Sequence, residues 1–146
     1  METFRTKSET ETIELGKKFA ENNLKEGGVV ALYGDLGTGK TRFVQGICKA
    51  FNIHYNVSSP SFTIINEYKS EKITIYHFDF YRINHISELT EIGFDEYIFS
   101  KAISIIEWAD RVTEILPDKR YDIHFFHTEQ ENERIIEIKK NDYTGH

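Results

Sequence analysis

Apolar positions along the chain change period several times, and the changes predict an alternation of helix and strand. Over Thr12 to Asn23, Ile13, Phe19, Ala20 and the following Leu24 fall near helical spacing, which predicts an amphipathic helix. Gly27-Gly28 breaks it, and Val29-Val30-Ala31-Leu32-Tyr33 follows as a short, wholly apolar run. Such a run is expected of a strand covered on both faces of a parallel sheet. Glycines come next, and then a helical stretch from about Lys40 to Phe51.

Phe62 to Tyr68 and Ile73 to Phe80 are rich in β-branched and aromatic residues and predict a hairpin turning at Lys69-Ser70-Glu71-Lys72. Ser87 is read as the cap of a short helix, with Glu88 in its first turn. Ala102 to Trp108 predicts another apolar strand, and Asp110 to Leu116 a helix ending before Pro117. Tyr121 to Thr128 and Arg134 to Lys140 alternate as a terminal hairpin, with Glu129 to Glu133 as its solvated loop. The order predicts an α/β fold: a mostly parallel central sheet flanked by helices, with antiparallel hairpin additions.

Size and charge narrow the picture. The 146 residues suit one domain over 1–146, against a prior of about 150 residues per domain. A single cysteine, Cys48, excludes an intramolecular disulfide and fits a reducing compartment; its place in a helix suits a small core residue. No signal peptide is visible in Met1 to Lys18, and no apolar run approaches a membrane span, so a cytoplasmic protein without membrane association is expected. Lys and Arg number 18 against 24 Asp and Glu, a net charge of −6, which argues against gripping nucleic acid unaided.

Gly34-Asp35-Leu36-Gly37-Thr38-Gly39-Lys40-Thr41 matches the phosphate-loop pattern G-x-x-x-x-G-K-S/T between a predicted strand and a predicted helix. Gly34, Gly37 and Gly39 permit backbone angles and close approach that a Cβ would block. Amides at a helix start then form an anion nest, with Gly37, Thr38, Gly39, Lys40 and Thr41 as the cofactor-binding stretch. Lys40 is expected to reach the β- and γ-phosphates, and the Thr41 hydroxyl to ligate Mg²⁺. No N-K-x-D guanine motif is present, and Asp142-Tyr143-Thr144-Gly145 lies in the tail, so ATP is favoured over GTP.

A metal-holding carboxylate is expected at the end of a neighbouring strand. Asp79 and Glu107 both qualify: one would bind Mg²⁺ directly, the other through water or as a general base, and the pattern leaves open which does which. Arg82 is placed either to stabilise phosphoryl charge or to order the chain after Asp79. Trp108 suits the nucleotide, a partner or the core. His124 and His127 have a spacing that serves a metal only on a helix, and on a strand they face opposite sides. Asn56-Val57-Ser58 fits a glycosylation sequon that has no meaning in the cytosol.

From Leu15-Gly16 to Pro117 the chain resembles the TsaE family, P-loop ATPase subunits of bacterial tRNA threonylcarbamoyladenosine biosynthesis. The resemblance rests on the loop 34–41, Ser59-Pro60-Ser61-Phe62, Glu67-Tyr68, His77-Phe78-Asp79-Phe80-Tyr81-Arg82, Glu88-Leu89 with Gly93, and Ile106-Glu107-Trp108. It implies a P-loop NTPase-like fold, ATP and Mg²⁺ as cofactors, and Lys40, Asp79 and Glu107 as catalytic residues. Thr41, Asp79 and Glu107 would hold the metal. It further implies a switch-like segment at Ser59-Pro60-Ser61, where Ser61 keeps the hydroxyl of the family's usual Thr, and an adenine site near Glu9 to Thr12. The implied partners are the subunits TsaB and TsaD, reset by hydrolysis between turnovers, with tRNA met only indirectly. The rival expectations are a small-molecule P-loop kinase, for which a chain of this length leaves little room for an acceptor pocket and lid, and a nucleotide-dependent binding module without useful hydrolysis.

Overall fold

A computed structural model describes residues 1–35, 37–54, 65–80, 85, 87–91, 93–98 and 100–141. Seven strands form one sheet in the order β1-β7-β6-β2-β5-β4-β3. They are β1 (Glu2–Thr6), β2 (Gly28–Tyr33), β3 (Ile65–Lys69), β4 (Thr74–Asp79), β5 (Ile103–Glu107), β6 (Arg120–His127) and β7 (Arg134–Asn141). The four middle strands, β6, β2, β5 and β4, run parallel, and antiparallel pairs finish both sides. This is the mixed α/β sheet the pattern predicts, with the expected hairpins formed by β3 with β4 and β6 with β7; Phe62 to Ile64, expected to begin the first, lie outside the described residues.

Helices α1 (Glu9–Asn23) and α2 (Lys40–Ala50) cover one face of the sheet. Phe19, Ala20, Phe43, Val44 and Ile47 pack there against Val30, Leu32, Ile103, Ile105 and Ile123. Short helices α3 (Ser87–Glu91) and α4 (Phe94–Ile98) help cover the other face, over Ala31, Phe78 and Ile106. Successive strand residues point to opposite faces, so β2 between β5 and β6 buries Val29 to Leu32 on both. That is the reason its run is wholly apolar.

The two long helices touch at glycines. A Cβ on Gly46 would lie 2.0 Å from the Ile13 carbonyl oxygen, and one on Gly16 would lie 2.3 Å from that of Phe43. The backbones cross closer than any side chain permits. This seats α2, and the loop feeding it, firmly against α1.

Several boundaries differ from the sequence reading. Helix α1 starts at Glu9 rather than Thr12. Ser8 caps it by accepting from the Glu11 N–H at 3.1 Å, and the Glu11 carboxylate reaches back to the Lys7 N–H at 2.8 Å. Its first turn is polar, so apolar spacing cannot reveal it. Strand β1, unanticipated, carries one packed apolar residue, Phe4, and exists by pairing with β7. Ser87 lies inside α3 rather than capping it; the Glu88 carboxylate instead accepts from the His85 N–H at 3.2 Å. The expected helix from Asp110 to Leu116 is two 3₁₀ turns, Ala109–Arg111 and Thr113–Ile115, separated at Val112, whose φ of −134° is not helical. Ala109, Val112 and Leu116 are buried there in the second apolar cluster. No helix among the described residues is long and apolar enough to cross a membrane.

Candidate active site at the carboxyl end of the parallel strands

Four parallel strands end on the same side of the sheet, and chemistry-bearing residues gather there. Strand β2 runs into Gly34 and the loop that opens α2 at Lys40. Gly39 immediately precedes the helix with a left-handed backbone, φ 101° and ψ 9°, which a Cβ would strain. No side chain caps α2, in contrast to Ser8 on α1, so its first amides are left to the loop side. Thr38 Oγ1 donates to the Asp35 carbonyl at 2.6 Å and fastens the loop to itself. Thr41 follows Lys40 in the first turn and is half-buried.

Lys40 is buried under the loop. Its Nζ donates to the Gly34 carbonyl at 2.5 Å and lies 4.5 Å from the centre of the Trp108 ring. Burial pushes the ammonium below its ordinary pKa; Glu107, Asp79, Asp110 and Asp35 act in the opposite direction as nearby negative charges. Trp108 adopts φ 59°, ψ 39°, an uncommon conformation for a bulky residue. It begins the turn that sets Asp110 near Lys40.

Asp79 and Glu107 are register partners on β4 and β5. Neighbouring strands are about 4.8 Å apart, and paired residues project to one face, here the α2 face. Glu107 is buried, and its Oε2 meets His77 Nε2 at 2.6 Å. Like charges side by side are unfavourable, so this pair of acids is suited to a site completed by cationic charge. Among the described residues no three His, Cys, Asp or Glu side chains converge as a self-sufficient metal cage. By donor type alone, Asp79 and Glu107 with the Thr41 hydroxyl are residues that could hold Mg²⁺, an ion commonly bound by one or two carboxylates together with phosphate and water.

Thr12 is brought to the loop. It is buried, shares a 2.8 Å hydroxyl contact with Thr6, and its Cγ2 would sit 3.5 Å from a Cβ on Gly39. Glu9 leans onto the first turn of α2, 3.3 Å from Arg42 Nε, and remains largely exposed. Ser61, Ser59-Pro60 and Arg82 lie outside the described residues.

Three contributors are absent from the sequence reading of the site. Arg134, at the start of β7, donates to the Gly37 carbonyl at 3.0 Å and is itself held by the Glu131 and Glu133 carbonyls. Asp110 adds charge beside Lys40. His77 grips Glu107; its place in the H-x-D motif was the available signal. By contrast His124 and His127 occupy one strand, at positions that face opposite ways. Cys48 is buried in α2, which pushes its thiol up to about 12.

The family model described as "Threonylcarbamoyl adenosine biosynthesis protein TsaE" matches residues 6–136. The chain belongs to the TsaE family. A Bacillus subtilis TsaE, tRNA threonylcarbamoyladenosine biosynthesis protein, is 42% identical over 99 residues, 68% of this chain and 61% of that protein's length. The Rickettsia typhi TsaE is 37% identical over 137 residues, 93% of each chain. A crystal structure of the Bacillus subtilis protein YdiB superposes with a TM-score of 0.82 at 33% identity, covering 97% of this TsaE-family chain and 86% of that one.

Proposed function

We propose that this chain is a P-loop ATPase domain acting in tRNA threonylcarbamoyladenosine biosynthesis, where it binds ATP with Mg²⁺ and hydrolyses it. The family and the names of its relatives support the pathway. The observation that carries the ATPase reading is the buried Lys40, set between the glycine loop and the register-paired acids Asp79 and Glu107.

On this reading the loop amides from Gly37 to Thr41 and the uncapped start of α2 receive the phosphates. Lys40 exchanges the Gly34 carbonyl for phosphate oxygen and stabilises the charge that develops during transfer. Thr41, Asp79 and Glu107 would hold Mg²⁺, which when bound neutralises phosphate charge. Thr12 and Glu9, at the α1 end of the loop, border the adenine side, and Ser61 senses the γ-phosphate. A water oxygen bonds to the γ-phosphorus while the bond from that phosphorus to the bridging oxygen breaks; the electron pair leaves with that oxygen on ADP, and a water proton passes to a carboxylate or to the released phosphate.

The partners are subunits of the TsaB and TsaD type, which hydrolysis resets between turnovers. A net charge of −6 suits a subunit that meets tRNA only through other proteins. The test is multiple-turnover tRNA modification with purified partners and the Lys40→Ala chain. Modification that stops after about one round supports the reading, and undiminished turnover overturns it. Labelled ATP should release label as inorganic phosphate; label on a small-molecule acceptor would establish a kinase instead.

A further inference from the structure

Glu107 and His77 form a contact that phosphate binding alone does not require. Both side chains are buried, at 4% and 0% exposure, and Nε2 meets Oε2 at 2.6 Å. Behind the ring, the Tyr68 hydroxyl stands 3.4 Å from His77 Nδ1, at the long end of hydrogen bonding. The three residues come from three adjacent strands, β5, β4 and β3, so the sheet itself sets the alignment. A carboxylate accepts and does not donate, so the proton between the pair resides on Nε2. Nδ1 is then the acceptor that the Tyr68 hydroxyl can serve.

We propose that His77 is a positioning residue for the metal site: its Nε2–H holds Glu107 Oε2, backed by Tyr68, and leaves Oε1 as the oxygen for Mg²⁺. This rests on the ATPase reading above. Partners that orient a metal-binding carboxylate typically alter metal affinity 10- to 100-fold when removed. A Glu without its donor can rotate or withdraw, while the phosphate loop, built from other elements, is untouched. The effect should therefore fall on Mg²⁺ and not on the nucleotide.

The experiment is calorimetric titration of the full chain with ADP, in EDTA and over a series of Mg²⁺ concentrations. For His77→Leu the expected result is a Mg²⁺ midpoint raised about 10-fold or more, with ADP affinity in EDTA within about 2-fold of wild type. His77→Gln, which restores an amide donor, should recover much of the loss. An unchanged midpoint in His77→Leu, or an equal loss of ADP affinity in EDTA, overturns the proposal. A wild-type chain whose ADP affinity ignores Mg²⁺ overturns the metal reading and this role with it; a responsive wild type matched by His77→Leu overturns the role alone. Should His77→Leu not fold, imidazole ¹⁵N spectra of the wild type decide. A protonated, exchange-protected Nε2 on His77 supports the proposal, and a proton on Nδ1 with a bare Nε2 overturns it.

Discussion

Lys40 Nζ lies 4.5 Å from the centre of the Trp108 ring, so the catalytic candidate rests on the single tryptophan of the chain. In the proposed cycle the ammonium leaves the ring for a phosphate, and the indole loses a cation against its face. Adding ATP should change intrinsic fluorescence saturably. Lys40→Met should abolish that change, and an ATP-induced signal of wild-type size in the variant would contradict the arrangement.

Lys40 also carries a cost in the free protein. Its pKa is lowered in the fold, chiefly by burial, so the unfolded chain binds more protons just below the ordinary value of 10.5 and stability rises with pH there. At neutral pH the charged lysine is disfavoured. The Lys40→Met protein should therefore melt no lower than wild type at pH 7, with its relative advantage shrinking as pH approaches 10.5. Thermal melts across that range check it.

Tyr33 titrates the other way round. Burial first, then the Asp122 charge and a 3.0 Å hydrogen bond to Asp122 Oδ1, raise its phenol to about 12. The fold keeps a proton that the unfolded chain loses near 10, so this contribution is complete below pH 10 and is lost between about 10 and 12. Burial also raises the Tyr68 phenol, so an ultraviolet titration should show more than one tyrosine ionising late, and Tyr33→Phe should lower the absorbance change near pH 12 by one tyrosine's worth.

The helix crossing predicts a sharp steric penalty. A methyl on Gly46 meets the Ile13 carbonyl at 2.0 Å and cannot be accommodated unless the helices separate. Gly46→Ala should cost about 2–3 kcal/mol, read as a fall of roughly 5–10 °C in Tm. Alanine favours helix over glycine intrinsically, so a gain in Tm would show that the backbones are not so close.

Much of the candidate site was legible because it is contiguous. The loop from Gly34 to Thr41 is read directly from residue order, and Asp79 and Glu107 stand where apolar strands end. Strand β1 and the first turn of α1 were not legible, since one depends on pairing with β7 and the other on polar capping. The predicted helix is two 3₁₀ turns because the backbone leaves helical angles at Val112, φ −134°, although Ala109, Val112 and Leu116 keep the helical spacing and are all buried. Arg134 reached Gly37 across 97 positions, with nothing in either local pattern to announce it.

By itself, then, the residue order determined the alternation of elements, the glycine loop between β2 and α2 and the acids at the strand ends, because period and turn residues are local properties. Tertiary structure decided which strands are neighbours. Placing β5 between β2 and β4 set Glu107 in register with Asp79, joined it to His77 thirty residues away and drew Lys40 over Trp108. Those relations come from hydrogen-bonded register and from burial against a common helix, which no one segment encodes alone.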